Sequence, residues 1–330
     1  MKRMILLLLS ACLLCLCLSG CTESTYEYPD AYSVGGAELT GDAVTGIKHI
    51  VIDWIAGRVE LTIGEGETLS ISESYPDELP EDYRLRYLVT DGILYIRHSA
   101  PVFRLMSVTA GKELTVRLPA SLSLERVDIT TSSADVSLGP VQADALNVDT
   151  SSGSVDTDAG SRFTSMIVST SSGDIHANAE DHVDTLQLST SSGKIYADVD
   201  TLGTGTVSST SGDTAVSVKQ VGQMGIDTSS GKITLTGQDL GRTSISTSSG
   251  SVSLTTSVNA ADIGISTSSG DVTLNLLADL GFTLTADTSS GDVSYDIPLI
   301  KNGDMYTHGD GACRIFVSTS SGNITLGGCQ

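Results

Sequence analysis

Residues 227–235 read Asp-Thr-Ser-Ser-Gly-Lys-Ile-Thr-Leu, and variants of the Thr-Ser-Ser-Gly centre recur from residue 131 onward. Ala134 takes the place of glycine in an imperfect first copy, and successive copies are 19, 20, 20, 19, 19, 19, 20, 21 and 31 residues apart. The anchor glycines of the other copies are Gly153, Gly173, Gly193, Gly212, Gly231, Gly250, Gly270, Gly291 and Gly322. Ten copies at a nearly constant spacing indicate a repeat architecture.

Apolar and polar positions alternate on both sides of each anchor. Five residues before it, all ten copies carry an apolar residue, and two residues after it nine of the ten carry Val or Ile. A period of two around a Ser-Gly turn predicts a strand, a corner and a second strand with one buried face. One such rung cannot bury its apolar face alone, so we expect the rungs to stack as parallel strands about 4.8 Å apart.

The predicted fold class is therefore all-β: a single-chain β-solenoid of about ten rungs of 19–21 residues each. The variable spacing favours a right-handed parallel β-helix over the left-handed hexapeptide type. Residues 46–127 alternate in the same way, with an Asp91-Gly92 hairpin signal, and are predicted to form a strand-rich N-terminal cap. Residues 128–330 are the predicted repeat solenoid, with an insertion in its C-terminal cap near 297–312.

The N-terminus carries a secretory signal pattern, in which Lys2 and Arg3 precede an apolar run and small residues. The run ends in Leu-Ser-Gly-Cys at Cys21, which matches the bacterial lipobox, so residues 1–20 are the expected signal peptide and Cys21 the expected site of lipidation. An ordinary cleaved signal with an incidental cysteine is the alternative. Residues 21–45 are polar and predicted to be a lipidated tether, which would hold the mature protein on a membrane outside the cytoplasm.

The charge of the chain limits its partners. Without residues 1–20, 16 Lys and Arg stand against 40 Asp and Glu, a net charge of −24. Such a surface repels nucleic acid and anionic lipid, and it favours a soluble monomer. After Cys21 the chain has only Cys313 and Cys329, for which a disulfide is permitted outside the cytoplasm and two buried free thiols are the alternative.

Each residue of the repeated phrase has a predicted structural role. The glycine either adopts a positive φ at the corner or lets stacked backbones approach closely. The Thr shares the buried side of the strand, so its methyl should pack inward while its hydroxyl bonds along the stack, which disfavours an ice-binding Thr face. The residue after the anchor is Asp174, Lys194, Asp213 and Lys232 in four consecutive copies, which predicts ion pairs between rungs and argues against a calcium ladder. No metal or other cofactor is expected.

A polysaccharide-cleaving β-helix enzyme would need clustered carboxylates with a basic partner. His308, Asp310 and Arg314 lie close together in the longest spacing between copies. No second acidic pair accompanies them in sequence, and a polar cap loop is the simpler interpretation. We therefore predict no enzymatic activity.

Several stretches together resemble the bacterial family of unknown function that is labelled "putative adhesin". They are the lipobox, "VIDWIAGRVELTI" (51–63), "LTVRLPASLSLERVDITTSSADVSL" (114–138) and the closing "IFVSTSSGNITL" (315–326), and the similarity spans roughly residues 47–326. The resemblance implies a β-solenoid at the cell envelope. No catalytic residues are described for the family, so none is carried over.

The sequence thus predicts a lipid-anchored, extracytoplasmic interaction or adhesion module. Its expected partner is a glycan or protein of the cell envelope or of a host surface. The alternative is an envelope-stress sensing or scaffolding lipoprotein that acts through a protein partner, and a polysaccharide-active enzyme comes third. An exposed aromatic stripe would favour glycan binding, but the aromatic residues gather mainly between Tyr26 and Tyr95.

Overall fold

The computed structural model describes residues 31–100, 111–257, 262–277 and 281–329, and β-strands dominate it. The predicted signal peptide, and Cys21 with it, lie outside these residues. Helix α1 (Asp42–Thr45) and a 3-10 helix (Glu81–Tyr83) lie in the N-terminal part. The strands are β1 (Ser33–Val34), β2 (Ala37–Leu39), β3 (His49–Gly64), β4 (Leu69–Ser74), β5 (Arg86–Thr90), β6 (Ile93–Arg97), β7 (Glu113–Pro119), β8 (Leu124–Leu138), β9 (Gln142–Thr150), β10 (Val155–Thr157), β11 (Arg162–Thr170), β12 (Ile175–Thr190), β13 (Ile195–Ser209), β14 (Thr214–Thr228), β15 (Ile233–Thr247), β16 (Val252–Thr256), β17 (Asp262–Thr267), β18 (Val272–Leu277), β19 (Phe282–Thr288), β20 (Val293–Tyr295), β21 (Ile300–Asn302), β22 (Met305–His308), β23 (Cys313–Thr319) and β24 (Ile324–Cys329).

The predicted β-solenoid is confirmed. In each repeat a first arm ends at the Thr of the phrase, Ser-Ser-Gly forms the corner, and a second arm begins two residues after the glycine. Strands β12 to β15 each run from the second arm of one rung, through a bend, into the first arm of the next rung. Neighbouring rungs pair in parallel and in register, so that Val207, Ile226 and Ile245 stack in one buried column.

The predicted cap contributes rungs of its own. Strand β3 pairs in parallel with β8 from His49 to Leu61, and its other edge pairs in parallel with β6 and β7. The rung made of β6 and β7 therefore lies outside β3, although it follows β3 in sequence. The architecture does not change at the predicted boundary between residues 127 and 128, because residues 49–64 keep the apolar alternation without the Thr-Ser-Ser-Gly corner. Strands β4 and β5 pair antiparallel with β7 and β6 and cover this end of the ladder.

The last rung is also out of sequence order. Strands β23 and β24 pair in parallel with β17 and β18 on one side and with β19 and β20 on the other. The C-terminal rung is therefore inserted between the two rungs that precede it in sequence, which explains the spacing of 31 residues. The residues of the predicted insertion near 297–312 contain the hairpin β21–β22, and β22 pairs antiparallel with the outer edge of β19. Covering an edge strand in this way blocks pairing with other chains.

The predicted tether is shorter than expected from sequence. Strand β1 pairs antiparallel with β5 and β2 pairs antiparallel with β4, so residues 33–39 belong to the sheet. Residues 33–330 form one compact unit, and residues 1–32 form a separate one. Two strands of two and three residues give too short a pattern to be recognised in a polar segment, and their partners supply the pairing.

The anchor glycines are required for close approach of the backbones. A Cβ added at Gly212 would lie 1.7 Å from the carbonyl oxygen of Gly193 in the next rung, and the other anchors show the same clash with their neighbours. None of the nine anchors has a positive φ. Of the two roles considered, the structure therefore supports close packing between rungs. Ala134 is accommodated because β8 runs through this position as continuous strand.

The Thr of each phrase holds its corner with two hydrogen bonds. The Thr190 hydroxyl accepts the N–H of Gly193 at 3.1 Å and donates to the carbonyl of Gly173, one rung away, at 3.4 Å. The buried Thr column thus bonds along the stack. In the Gly212 rung the hydroxyl of Ser209 accepts the glycine N–H at 3.0 Å.

Replacing Thr190 with valine should lower the free energy of unfolding by about 1–3 kcal/mol, because the buried N–H of Gly193 loses its acceptor. Thr190→Ser keeps the oxygen, as Ser209 does, and should cost only about 1 kcal/mol for the lost methyl group. Urea unfolding of the two variants measures the difference. Equal losses for valine and serine would show that the methyl group, and not the hydroxyl, holds the corner.

Candidate functional site

The predicted disulfide is not tested by the described side chains. Cys313 is buried at the start of β23. Cys329 is the last residue of β24, and its side chain lies outside the described residues. The disulfide therefore stays a prediction, and so does the lipidation of Cys21.

The three polar residues of the C-terminal insertion do not converge on a common point. The Nδ1 of His308 donates to the carbonyl of Pro298 at 2.8 Å, and the His308 ring stacks on Phe282. The Asp310 carboxylate accepts the N–H of Ala312 at 3.1 Å. Arg314 pairs with a carboxylate on β17, at Asp262, 2.8 Å away. These contacts fix the loop and the last rung, as the cap-loop interpretation predicts.

The column after the anchors is joined by carboxylate-to-backbone bonds. Asp174 accepts the backbone N–H of Lys194 at 2.7 Å, and Asp213 accepts the backbone N–H of Lys232 at 2.9 Å. Among the described residues, neither lysine ammonium group forms an ion pair with these carboxylates. The ion pairs predicted from the alternation of Asp and Lys are thus replaced by hydrogen bonds between the backbones and side chains of neighbouring rungs.

Asp128 is the centre of a polar cluster on the first-arm face near the N-terminal end. Its carboxylate contacts His49 Nε2 at 2.6 Å, Arg126 Nε at 2.7 Å and Asn147 Nδ2 at 2.8 Å, which join three neighbouring rungs. Burial raises the pKa of Asp128, but the hydrogen bonds from Arg126, Asn147 and His49 outweigh it and hold the pKa below its usual 3.8.

This cluster predicts a pH dependence of stability. Because the pKa of Asp128 is lower in the folded state, its ionised form stabilises the fold above pH 3.8, and that contribution is lost as the pH falls through the folded pKa. Asp128→Asn should lower the free energy of unfolding at pH 7 by about 1 kcal/mol and flatten its decline below pH 4. Urea unfolding between pH 2.5 and 7 measures both, with Asp149→Asn on exposed strand surface as control. An unchanged pH slope in Asp128→Asn would contradict the prediction.

A buried lysine fixes the N-terminal rungs. The ammonium group of Lys112 pairs with Glu73 at 2.7 Å and donates to the backbone carbonyls of Tyr83 and His98. It also lies 4.9 Å from the ring centre of Trp54, whose indole N–H donates to the Lys112 carbonyl. Burial lowers the pKa of Lys112, and the Glu73 carboxylate opposes this shift. With all three ammonium hydrogens used by acceptors of the fold, the role of this lysine is structural.

An aromatic pair is exposed on the second-arm face. His176 and Tyr196 occupy the same outward column in neighbouring rungs, and their ring centres are 5.0 Å apart. Tyr196 is 41% exposed, and the carboxylate of Asp156 lies 3.5 Å from His176 in the rung before. On the first-arm face the ring of Phe316 is 50% exposed. Sequence reasoning missed these rings because it weighed aromatic residues by their number and not by their column, and the column was readable from the repeat.

A cleft of about 470 Å³ lies where the bends between rungs meet the loop after β7. Its floor is apolar and consists of Leu122, Leu124, Ala143 and Phe163, of which Phe163 is only 2% exposed. We call it the Arg162 cleft, because it contains this arginine with the polar rim residues around it.

A bulge shapes the rim of the Arg162 cleft. The register between β12 and β13 shifts between Ala179 and His182, so this bend holds one residue more than the bend of the next rung. Asp181 in the bulge has a left-handed φ of 64°. Arg162 pairs with both bulge carboxylates, through Nη2 to Glu180 at 3.1 Å and through Nε to Asp181 at 2.9 Å. The guanidinium group is thereby held in a fixed plane at the mouth of the cleft.

The described residues contain no group of three or more His, Cys, Asp or Glu side chains that could hold a metal ion. In the same part of the chain, no helix is long and apolar enough to cross a membrane.

Comparison with known proteins places the repeats in a family. The family model described as Toastrack DUF4097 matches residues 159–327, just over half of the chain. A search of curated proteins finds no match. Two similar solved structures are a "putative cell adhesion protein" from Clostridium sporogenes (11% identity, 90% of this chain and 100% of that one, TM-score 0.24) and a "putative adhesin" from Bacteroides fragilis (10% identity, 89% and 97%, TM-score 0.30).

Proposed function

The chain belongs to the Toastrack DUF4097 family, and from this and the geometry above we propose that it is a non-catalytic binding module on the outer side of a membrane. A lipid on Cys21 would anchor it there. Its partner would be a component of the cell envelope or of a host surface, and adhesion would be its activity.

The exposed pair of His176 and Tyr196 is the observation that carries this proposal. Aromatic rings that stay exposed on an otherwise polar surface are enriched where proteins bind partners. Both rings project from paired strands of a rigid ladder, so binding would cost little ordering entropy. A face whose columns repeat from rung to rung can also add weak contacts along its length.

Adhesion of cells that produce the full-length chain tests the proposal. Their retention would be measured on immobilised peptidoglycan, envelope polysaccharide and matrix glycoprotein, with and without calcium. The double variant His176→Ser/Tyr196→Ser should lower retention about tenfold, which corresponds to about 1.4 kcal/mol. Ser253→Ala, in the same outward column, is the matched control.

Two results would overturn the proposal. Retention that is unchanged in the double variant would remove this face from binding. Retention of the chain by a membrane protein alone would favour the sensing or scaffolding alternative.

The anchor has its own test. Cys21→Ser should move the chain from the membrane fraction to the soluble fraction, because a diacyl anchor supplies the stable attachment. A Cys21→Ser chain that remains in the membrane fraction would contradict lipid anchoring.

A further inference from the structure

We infer that the Arg162 cleft is a binding site for a neutral saccharide unit. The inference goes beyond the proposed function, because it concerns the bends between rungs and not the face that carries Tyr196. It also holds whether or not the chain is anchored or adhesive.

The size and floor of the cleft suit one or two sugar rings. Its volume of about 470 Å³ is within the range of small-molecule sites, roughly 300–1,000 Å³. The apolar floor of Leu122, Ala143 and Phe163 offers a surface to the C–H face of a pyranose ring. A ligand with polar groups on every side would leave this floor without a matching surface.

The rim offers donors and acceptors together. Arg162 can only donate hydrogen bonds, the carboxylates of Asp144 and Glu180 can only accept them, and the amide of Gln142 does both. Saccharide hydroxyl groups donate and accept, so neighbouring hydroxyls on one ring could satisfy all of these groups. A ligand with acceptors alone would leave the carboxylates unpaired.

The charge of the rim selects a neutral ligand. Three carboxylates, those of Asp144, Glu180 and Asp181, surround one guanidinium group, so a uronate or sulfated sugar would be repelled. A cationic ligand would be attracted by the carboxylates, but it would bring a hydrated charge against the apolar floor, which is unfavourable. A neutral saccharide avoids both penalties.

The bulge is explained by this role and not by stability. Arg162, Glu180 and Asp181 are about half exposed or more, and ion pairs between such side chains add little stability. A left-handed backbone at Asp181 is unfavourable, and bulges of this kind often orient side chains beside binding sites. Here the extra residue places two carboxylates so that they hold Arg162 at the mouth of the cleft.

The test measures binding of the full-length chain, purified in detergent, to immobilised oligosaccharides of matched length. The neutral probes are tetramers of N-acetylglucosamine, glucose, galactose and mannose. The tetramer of glucosamine is the cationic probe, and the tetramer of galacturonate is the anionic one. The variant Gln142→Ala/Asp144→Ala removes two rim groups, and Gln223→Ala/Asp227→Ala removes the same residue types from the exposed surface of β14.

At least one neutral tetramer should bind, and the rim variant should raise its Kd at least tenfold while the β14 variant leaves it unchanged. The inference is overturned if no neutral tetramer binds, if the rim variant binds as the parent chain does, or if only the cationic tetramer binds. The variant His176→Ser/Tyr196→Ser should keep the saccharide affinity. Loss of cell adhesion with saccharide binding intact, or the reverse, therefore separates the two proposals.

Discussion

Replacing Gly212 with alanine should destabilise the ladder by about 3 kcal/mol, the upper end for overpacking a buried site. The added methyl group would lie 1.7 Å from the carbonyl oxygen of Gly193. Because that oxygen belongs to the backbone of a paired rung, no side-chain rotation can relieve the clash. The rungs would have to separate at the corner, and the hydrogen bonds of the arms on both sides would be strained.

Gly225→Ala is the matched control for this substitution. Gly225 lies in β14 as well, but a Cβ there would come no closer than 4.0 Å to the nearest atom, a carbonyl oxygen. Alanine should be neutral at this position or stabilise by about 0.5–1 kcal/mol, since it restricts the unfolded chain. Urea unfolding followed by circular dichroism measures both variants. Similar midpoints for Gly212→Ala and Gly225→Ala would refute the close-packing role of the anchors.

Lys112→Ala should cost about 3–5 kcal/mol, because it breaks a buried ion pair and leaves one partner behind. The Glu73 side chain is only 10% exposed and would lose an ammonium group at 2.7 Å. The carbonyls of Tyr83 and His98 would lose their donor, and the Trp54 ring would lose its cation. The loss should appear as an earlier unfolding transition of the N-terminal rungs.

An exposed lysine provides the control for Lys112. Lys219 forms an ion pair with Asp200 at 2.6 Å, but both side chains are largely exposed. Lys219→Ala should therefore leave the urea midpoint unchanged. The double variant Lys112→Met/Glu73→Gln, which removes both charges and keeps most of the volume, should recover part of the loss. A midpoint for Lys112→Ala equal to that of Lys219→Ala would contradict the structural role.

The rungs could be predicted from the sequence because every copy repeats the same physical constraints. The apolar columns, such as that of Ile226 and Ile245, show a period of two that only a half-buried strand explains. The inward Thr followed from the same parity. The reason for the anchor glycines could not be chosen from sequence, because a positive φ and a close approach both require glycine.

The order of the end rungs could not be predicted. The columns of β19 and β23 both contain Leu, Ile, Val and Ala at the buried positions, so either strand would satisfy the neighbour of β17. The long final spacing showed that the insertion existed, but it did not show that the last rung returns between two earlier ones. That choice is made by the hairpin β21–β22, which pairs with β19 and leaves its other edge for β23.

The cleft and the buried lysine were beyond sequence reasoning for a different reason. The rung from Gly173 to Gly193 has 20 residues, and the spacing alone cannot place the extra residue in the corner or in the bend. Lys112 and Glu73 are 39 positions apart and belong to no repeated column. Both features depend on contacts between elements distant in sequence, for which a single sequence gives no signal.

Cross-linking of the last rungs tests the stacking most directly. Ser318 on β23 is paired with Ser266 on β17 and with Asp287 on β19, whereas Ser266 and Asp287 are two rungs apart. Neighbouring strands are about 4.8 Å apart, and a disulfide cannot join Cα atoms separated by more than about 7 Å. Ser266→Cys/Ser318→Cys should therefore form a disulfide under mild oxidation, as seen by non-reducing peptide mapping, and Ser266→Cys/Asp287→Cys should not. A disulfide in the second variant and none in the first would show that the rungs stack in sequence order, against the ladder described above.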